Sequence, residues 1–293
     1  MTKTYESYYV PAQSHWPIIG AVALFFIAYG AGHWVHDMHA KVSGYGEYLL
    51  LAGVALIIFM LFGWFNTVIN ESMAGKYSHQ MDGSFRQGMS WFIFSEVMFF
   101  AVFFGALFYA RHFSVPWLGG AGNNAMTAKV LWPNFHAEWP LLSTPDGTKS
   151  GMVGWYGLPL INTIILLTSS ITAQFAHVAL EHNHRKRLKL WLGLTIVLGI
   201  SFLCCQALEY HHAYSDEVRL YLSSGVYGNT FFLLTGFHGM HVTLGTIMLT
   251  VIFIRVWKGH FTPTNNFAFQ AASWYWHFVD VVWVMLFFFV YIL

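Results

Sequence analysis

Seven long runs of apolar residues follow one another along the chain, separated by short polar stretches. Each run has about 20 residues or more, the length that an α-helix needs to cross about 30 Å of hydrocarbon. Strands would instead alternate over about ten residues and would have to close into a barrel. The pattern therefore predicts an all-α polytopic membrane protein with seven transmembrane helices. The runs lie near residues 17–36, 48–70, 88–110, 155–179, 190–212, 227–254 and 270–293.

The composition agrees with this membrane class. The 293 residues are 56% hydrophobic and only 9% charged, whereas an ordinary soluble domain has about a quarter charged residues. A formal net charge of +1 gives no reason to expect nucleic acid as a partner. The neighbouring Cys204 and Cys205 are the two cysteines of the chain, and they define neither a disulfide framework nor a metal site.

The basic residues between the runs predict the orientation of the chain. With a cytoplasmic N-terminus, the inner segments hold nine Lys and Arg residues and the outer segments five, as the positive-inside rule requires. We therefore expect a periplasmic C-terminus. A polar link after the second run suggests two domains, residues 1–72 with two helices and residues 73–293 with a five-helix bundle. The outer loop at 112–154 is long enough to be functional or a cap.

Glu96 lies in the middle of the third run, where an ionisable group is expensive. A carboxylate at the centre of a lipid-exposed helix costs at least about 2.5–3.5 kcal/mol. Glu96 is therefore expected to face protein, water or a polar head group. It is either a proton relay or a polar anchor that fixes helix packing, and the residues themselves leave both interpretations open.

Asp280 poses the same question in the last run. His277 precedes it by three residues, so the two side chains share one helix face and an imidazole can donate to the carboxylate. The pair either shuttles protons or forms a polar interface couple that orients the helix, and we favour the couple.

Motifs for a self-sufficient active site are missing from the sequence. The 16 histidines include several in or beside the spans, but their spacing does not suit haem ligation by facing helices. The chain has no H-E-x-x-H, no paired C-x-x-C and no glycine-rich phosphate loop. We therefore expect no catalytic residue, no metal site and no redox cofactor in this chain. Arg255, Lys258 and His260 lie at the predicted inner edge, where they either control topology or bind lipid head groups.

Five strings of residues resemble subunit III of the haem-copper cytochrome c oxidases, in the order of that family. Together they touch five of the seven predicted spans. They are HWPIIGA at 15–21, FRQGMSWFIFSEVMFF at 85–100, LPLINTIILL at 158–167, SGVYGNTFFLLTGFHGMHV at 224–242 and AASWYWHFVDVVW at 271–283.

The resemblance implies a subunit that carries no haem or copper, which reside in partner chains. Its first two helices would be splayed from a bundle of five, with phospholipid in the cleft between them. Glu96 matches the membrane carboxylate that reacts with a hydrophobic carbodiimide in this family. The implied partners are the catalytic subunit I and subunit II, and the implied role is to protect subunit I and to sustain proton uptake or oxygen access. The implied head-group contacts are Trp64, Glu71, Arg255, Lys258 and His260.

Three features depart from the family pattern. Lys76 and Tyr77 stand near the place where some relatives have adjacent histidines, and Gln270 stands where many relatives have Glu. The outer loop is longer than in compact relatives. This loop favours a bacterial plasma membrane over the mitochondrial inner membrane. The rival hypothesis from another class is an autonomous membrane cytochrome or proton-coupled transporter that uses the histidines and carboxylates directly.

Overall fold

The computed structural model describes residues 9–293, so that residues 1–8, with Lys3 of the topology count, lie outside it. The described part is helical and contains no β-strand, apart from one isolated bridge between Ser143 and Lys149. The α-helices are α1 (Trp16–Ala40), α2 (Gly46–Met73), α3 (His79–Tyr109), α4 (Val115–Leu118), α5 (Ala125–Leu131), α6 (Leu158–Glu181), α7 (Arg185–Ala213), α8 (Gly225–Trp257) and α9 (Phe267–Leu286). Two π-helical turns, Ala110–Ser114 and Phe287–Ile292, extend α3 and α9.

Seven of these helices are long and apolar enough to cross a membrane within the described residues. The predicted all-α polytopic class with seven spans is therefore confirmed. Most of the helices extend beyond the apolar runs, and α3 already begins at His79. Polar residues continue a helix readily where its end reaches water and head groups. The short helices α4 and α5 within the outer loop were not predicted, since that loop has no sustained periodicity.

The chain divides into two compact units, one that ends at Phe85 and one that spans Arg86–Leu293. In the first unit, α1 and α2 are joined by five residues and pack through glycines. A Cβ at Gly30 would lie 2.4 Å from the Leu50 nitrogen, and one at Gly53 would lie 2.8 Å from the Ile27 nitrogen. Small residues thus bring the two backbones together, as is typical of membrane helices. The predicted domain boundary after residue 72 stays a prediction.

The second unit has a core built around two buried tryptophans of α9. Trp276 donates its indole N–H to Ser169 Oγ at 3.0 Å, and Trp283 donates to Thr163 Oγ1 at 3.0 Å. Both rings are completely buried, and both acceptors lie on α6. Each tryptophan therefore fills space and satisfies its polar atom in one contact.

The outer loop carries a tight polar turn outside the spans. Asp146 accepts hydrogen bonds from the hydroxyl groups of Thr144 and Thr148 and from the backbone N–H of Thr148. These donors favour the charged carboxylate, so they lower the pKa of Asp146 below its usual value. The turn is thus held together by an ionised side chain.

Candidate functional sites in the membrane helices

Glu96 on α3 contacts a histidine of α8. Its Oε2 atom lies 2.9 Å from Nε2 of His241, and the side chains of Glu96 and His241 are 21% and 5% exposed. The aromatic rings of Phe99 and Phe100 lie beside the imidazole, with centroids 5.8 and 4.9 Å away. The carboxyl group therefore has a polar protein partner in largely apolar surroundings.

The other imidazole nitrogen restricts what this contact can be. His241 Nδ1 lies 2.6 Å from the carbonyl oxygen of Phe237, and a carbonyl only accepts, so Nδ1 carries a hydrogen. Nε2 either accepts from a protonated Glu96 or donates to its carboxylate. With one proton shared across this contact the pair has no net charge, either as two neutral groups or as an ion pair. Sequence reasoning missed this partnership, because His241 and Glu96 are 145 residues apart and no local pattern connects them.

The predicted pair of His277 and Asp280 acquires a third member from α6. Ser170 Oγ lies 2.7 Å from His277 Nδ1, and the same nitrogen is 3.8 Å from Asp280 Oδ2. In a catalytic triad the hydroxyl and the carboxylate use different ring nitrogens, so this arrangement is not one. Asp280 is 4% exposed, and the three groups connect α6 with α9.

Two arginines meet at Phe261, which follows the C-terminal end of α8. The guanidinium carbon of Arg255 is 4.5 Å from the centroid of Phe261, and Arg185 Nη2 donates to the Phe261 carbonyl at 2.6 Å. Burial, followed by the charges of Arg255 and Lys258, lowers the pKa of His260. In the sequence analysis, Arg185 entered only the count of basic residues in the predicted inner segments.

Several nitrogens of this basic cluster have no protein partner. Arg255 Nε, Arg185 Nη1 and His260 Nδ1 are buried and make no hydrogen bond within the described part of the chain. Two guanidinium groups with free N–H donors are the usual ligands of a phosphate or carboxylate. The cluster is therefore chemically suited to an anion.

The predicted head-group residues of the first unit differ in how far they are already engaged. Glu71 accepts a hydrogen bond from Tyr9 Oη at 3.1 Å and another from Tyr77 Oη at 3.0 Å. Burial, and then the hydrogen bond to Glu71, raises the pKa of Tyr77. Trp64 is 48% exposed, and Lys76 lies 5.5 Å from the Tyr9 ring centroid. Glu71 thus anchors the segment around Tyr9, while Trp64 remains accessible.

Gln270, a second departure from the family pattern, also has a contact. Gln270 Oε1 accepts a hydrogen bond from Arg86 Nη1. A glutamate carboxylate at this position would instead form an ion pair with Arg86. Phe267 lies under the same guanidinium group, 5.4 Å from ring centroid to guanidinium carbon.

Sequence reasoning overlooked one buried carboxyl group. Glu209 on α7 is 1% exposed, and Tyr291 Oη donates to its Oε1 atom at 2.5 Å. The available signal was an ionisable residue near the end of a predicted span, with Gln206 one turn earlier on the same face. Across residues 9–293, the structure has no group of three or more His, Cys, Asp or Glu side chains arranged to hold a metal ion.

The comparison with known proteins concerns nearly the whole chain. The family model "Cytochrome c oxidase subunit III" matches residues 6–293. The protein named cytochrome c oxidase subunit 3 from Dugong dugon is 37% identical over 290 residues, covering 98% of this chain and 97% of its own. The one from Struthio camelus is 37% identical over 287 residues, with the same coverage. A protein of Rickettsia bellii named probable cytochrome c oxidase subunit 3 is 38% identical over 288 residues, covering 97% and 95%. The chain therefore belongs to the cytochrome c oxidase subunit III family and so to a respiratory oxidase, an oxidoreductase complex.

Proposed function

We propose that this chain is a subunit without a redox centre of its own, which flanks the catalytic subunit I, with subunit II, in a complex that reduces oxygen to water. It stabilises subunit I, binds phospholipid and supports proton uptake or oxygen access in a proton-translocating oxidase. The observation that carries this proposal is the contact between Glu96 and His241. A histidine and a carboxyl group in the spans engage each other, so neither side chain is directed at a metal.

A polar stripe on α6 supports the proposed contact with a partner subunit. Gln174, His177 and Glu181 are spaced by three and four residues, so they share one helix face. In this chain by itself, Gln174 and Glu181 are exposed and His177 is half-buried. Polar side chains in a span rarely face lipid and instead mark a bundle interior, a partner helix or water. We therefore assign this stripe to a transmembrane helix of another oxidase subunit.

The basic cluster around Phe261 supports the proposed phospholipid site. Arg255, Lys258 and His260 were predicted to contact head groups, and Arg185 adds a second guanidinium group. A lipid phosphate would accept from the nitrogens that have no protein partner. Trp64 and Glu71 of the first unit are also proposed head-group contacts, and the two oxygens of Glu71 already accept hydrogen bonds from tyrosines.

The lipid assignment is tested by counting phospholipids that stay with the purified complex after a detergent wash. Arg255→Gln is expected to lose about one tightly bound phospholipid per complex, because it removes a charge-assisted partner of the phosphate. Arg187→Gln is the matched control, since Arg187 is an exposed basic residue at the same inner edge. Equal lipid retention in both variants would contradict the assignment.

The role of Glu96 is tested by comparing oxygen reduction with proton pumping. We propose that Glu96 anchors packing through His241, so that Glu96→Gln retains a polar partner and nearly the full initial rate of oxygen reduction. Glu47→Gln, an exposed residue at the start of α2, serves as the control. An immediate large loss of proton pumping in Glu96→Gln alone would indicate a compulsory relay instead.

The proposed location is a bacterial plasma membrane with the N-terminus in the cytoplasm and the C-terminus in the periplasm. Relatives occur both in a bacterium and in animals. The support is the excess of basic residues in the inner segments and the long outer loop. A cysteine placed at the exposed Met126 should react with a membrane-impermeant thiol reagent in intact cells, whereas one at Lys186 should not. The reverse labelling would contradict this orientation.

A further inference from the structure

Glu209 lies in a group of buried polar atoms that the proposed function does not use. Tyr291 donates to Glu209 Oε1, but Glu209 Oε2 has no hydrogen-bond partner among the described residues. Gln206 precedes it by three residues on the same face of α7 and is 6% exposed. Both amide atoms of Gln206 are also without a partner in the described chain.

A second buried amide lies on α6. Asn162 is 0% exposed, and neither Nδ2 nor Oδ1 bonds to any described residue. The hydroxyl groups of Thr172 and Thr195 are 2.8 Å apart and fix the register of these antiparallel helices. Asn162 lies ten residues before Thr172 on α6, which is about 15 Å along the helix axis. Gln206 lies eleven residues after Thr195 on α7, which is about 16.5 Å in the same direction. The two amides are therefore at the same depth.

The five unpaired polar atoms of Asn162, Gln206 and Glu209 require a ligand that both donates and accepts hydrogen bonds. Buried polar groups in proteins are nearly always paired with protein or ordered water, and leaving one unpaired is costly. A cation would suit the oxygens but would face the amide N–H donors of Asn162 and Gln206. Water satisfies both kinds of atom, and one buried water makes about three hydrogen bonds.

We propose that Asn162, Gln206, Glu209 and Tyr291 form a buried hydrated site that binds at least two ordered water molecules between α6 and α7. The site lies four residues before the end of α7, so it is about 6 Å from the end of that helix. It connects the carboxyl group of Glu209 with both helices through water. This inference is independent of the proposed phospholipid and partner contacts.

The direct test is a density map of the intact oxidase, purified with this chain, at about 2 Å resolution. We expect at least two ordered peaks within hydrogen-bond distance of Asn162, Gln206 and Glu209. The proposal is overturned if the map shows no such peaks and the two amides bond directly to each other. It is also overturned if a larger molecule or an ion occupies the same space.

The second test uses the sign of a stability change. Asn162→Leu removes partners of the bound water, so the unfolding temperature of the chain in the complex should fall by about 2–4 °C. If the amides were dry and unpaired, the same substitution would remove a penalty and raise that temperature. Asn134→Leu, at an exposed loop position, should leave it unchanged. If the Asn162→Leu chain does not assemble into the complex, the density map of the unsubstituted complex tests the proposal by itself.

Discussion

The α1–α2 hairpin and the α6–α9 core solve the same packing problem in different ways. The buried residues of the hairpin are all small, whereas the core buries Trp276 and Trp283 together with their hydrogen-bond acceptors. Lipid tails are as apolar as leucine, so apolar side chains alone do not drive helices together in a membrane. Close backbone approach and satisfied polar contacts are two alternatives, and each unit uses one of them. The hairpin's buried residues are Gly20, Ala23, Gly30, Gly46 and Gly53.

The largest effect is expected from truncation in the core. Trp276→Ala removes a fully buried ring and leaves Ser169 Oγ without its indole donor. We expect a loss of about 3–5 kcal/mol of stability, measured as a fall in the unfolding temperature of the purified complex. Trp91→Ala, at a tryptophan that is 63% exposed, should have a small effect. Equal losses of stability in the two variants would show that burial in the described core does not determine the effect of removing a tryptophan.

A smaller effect is expected where the hairpin helices touch. In Gly30→Leu the new Cβ would meet the Leu50 backbone at 2.4 Å, whereas Gly32 on the same helix has nothing within 4 Å of its added Cβ. Overpacking at Gly30 should cost about 1–3 kcal/mol, and Gly32→Leu should cost much less. Disulfide cross-linking between cysteines introduced into α1 and α2 measures the separation of the two helices. If both variants cross-link equally well, glycine contact does not hold the hairpin together.

Removing one hydroxyl from the first unit should have a modest effect. Tyr77→Phe deletes one of the two hydrogen bonds to Glu71 and leaves that of Tyr9. The expected cost is about 0.5–1.5 kcal/mol, read as faster hydrogen exchange in residues 9–15 and 70–77. Tyr48→Phe, at an exposed tyrosine of α2, provides the control. Unchanged exchange in Tyr77→Phe would mean that Glu71 does not anchor this segment.

The smallest effect concerns pH and the outer loop. Because the folded pKa of Asp146 is depressed, the turn is fully stabilised above the usual aspartyl pKa of 3.8. This stabilisation is lost as the pH falls from there through the lower folded value. Hydrogen exchange at the Thr148 amide should show this change, and Asp146→Asn should abolish its pH dependence. A turn equally protected at all pH values would contradict this assignment.

The helices were predictable from the sequence, but most partnerships between them were not. Apolar runs of sufficient length indicated all seven spans, because hydropathy and length are local properties. Glu96 and Asp280 stood out for the same reason, and His277 was found because it is three residues from Asp280. His241 and Ser170 were missed as partners because no local pattern tells which helices are neighbours or at what depth they meet. Glu209 was missed although the sequence alone shows an ionisable residue within a predicted span. Its partner Tyr291 lies 82 residues away, so no local pattern connects the two.

The central claim is that this chain supports a catalytic neighbour and holds no redox centre. The most direct measurement compares the intact oxidase with the same complex after removal of this chain, by visible spectrum and by oxygen consumption over many turnovers. We predict unchanged haem absorbance and initial rate, followed by faster loss of activity in the depleted complex. Haem absorbance that leaves with the removed chain would contradict the account.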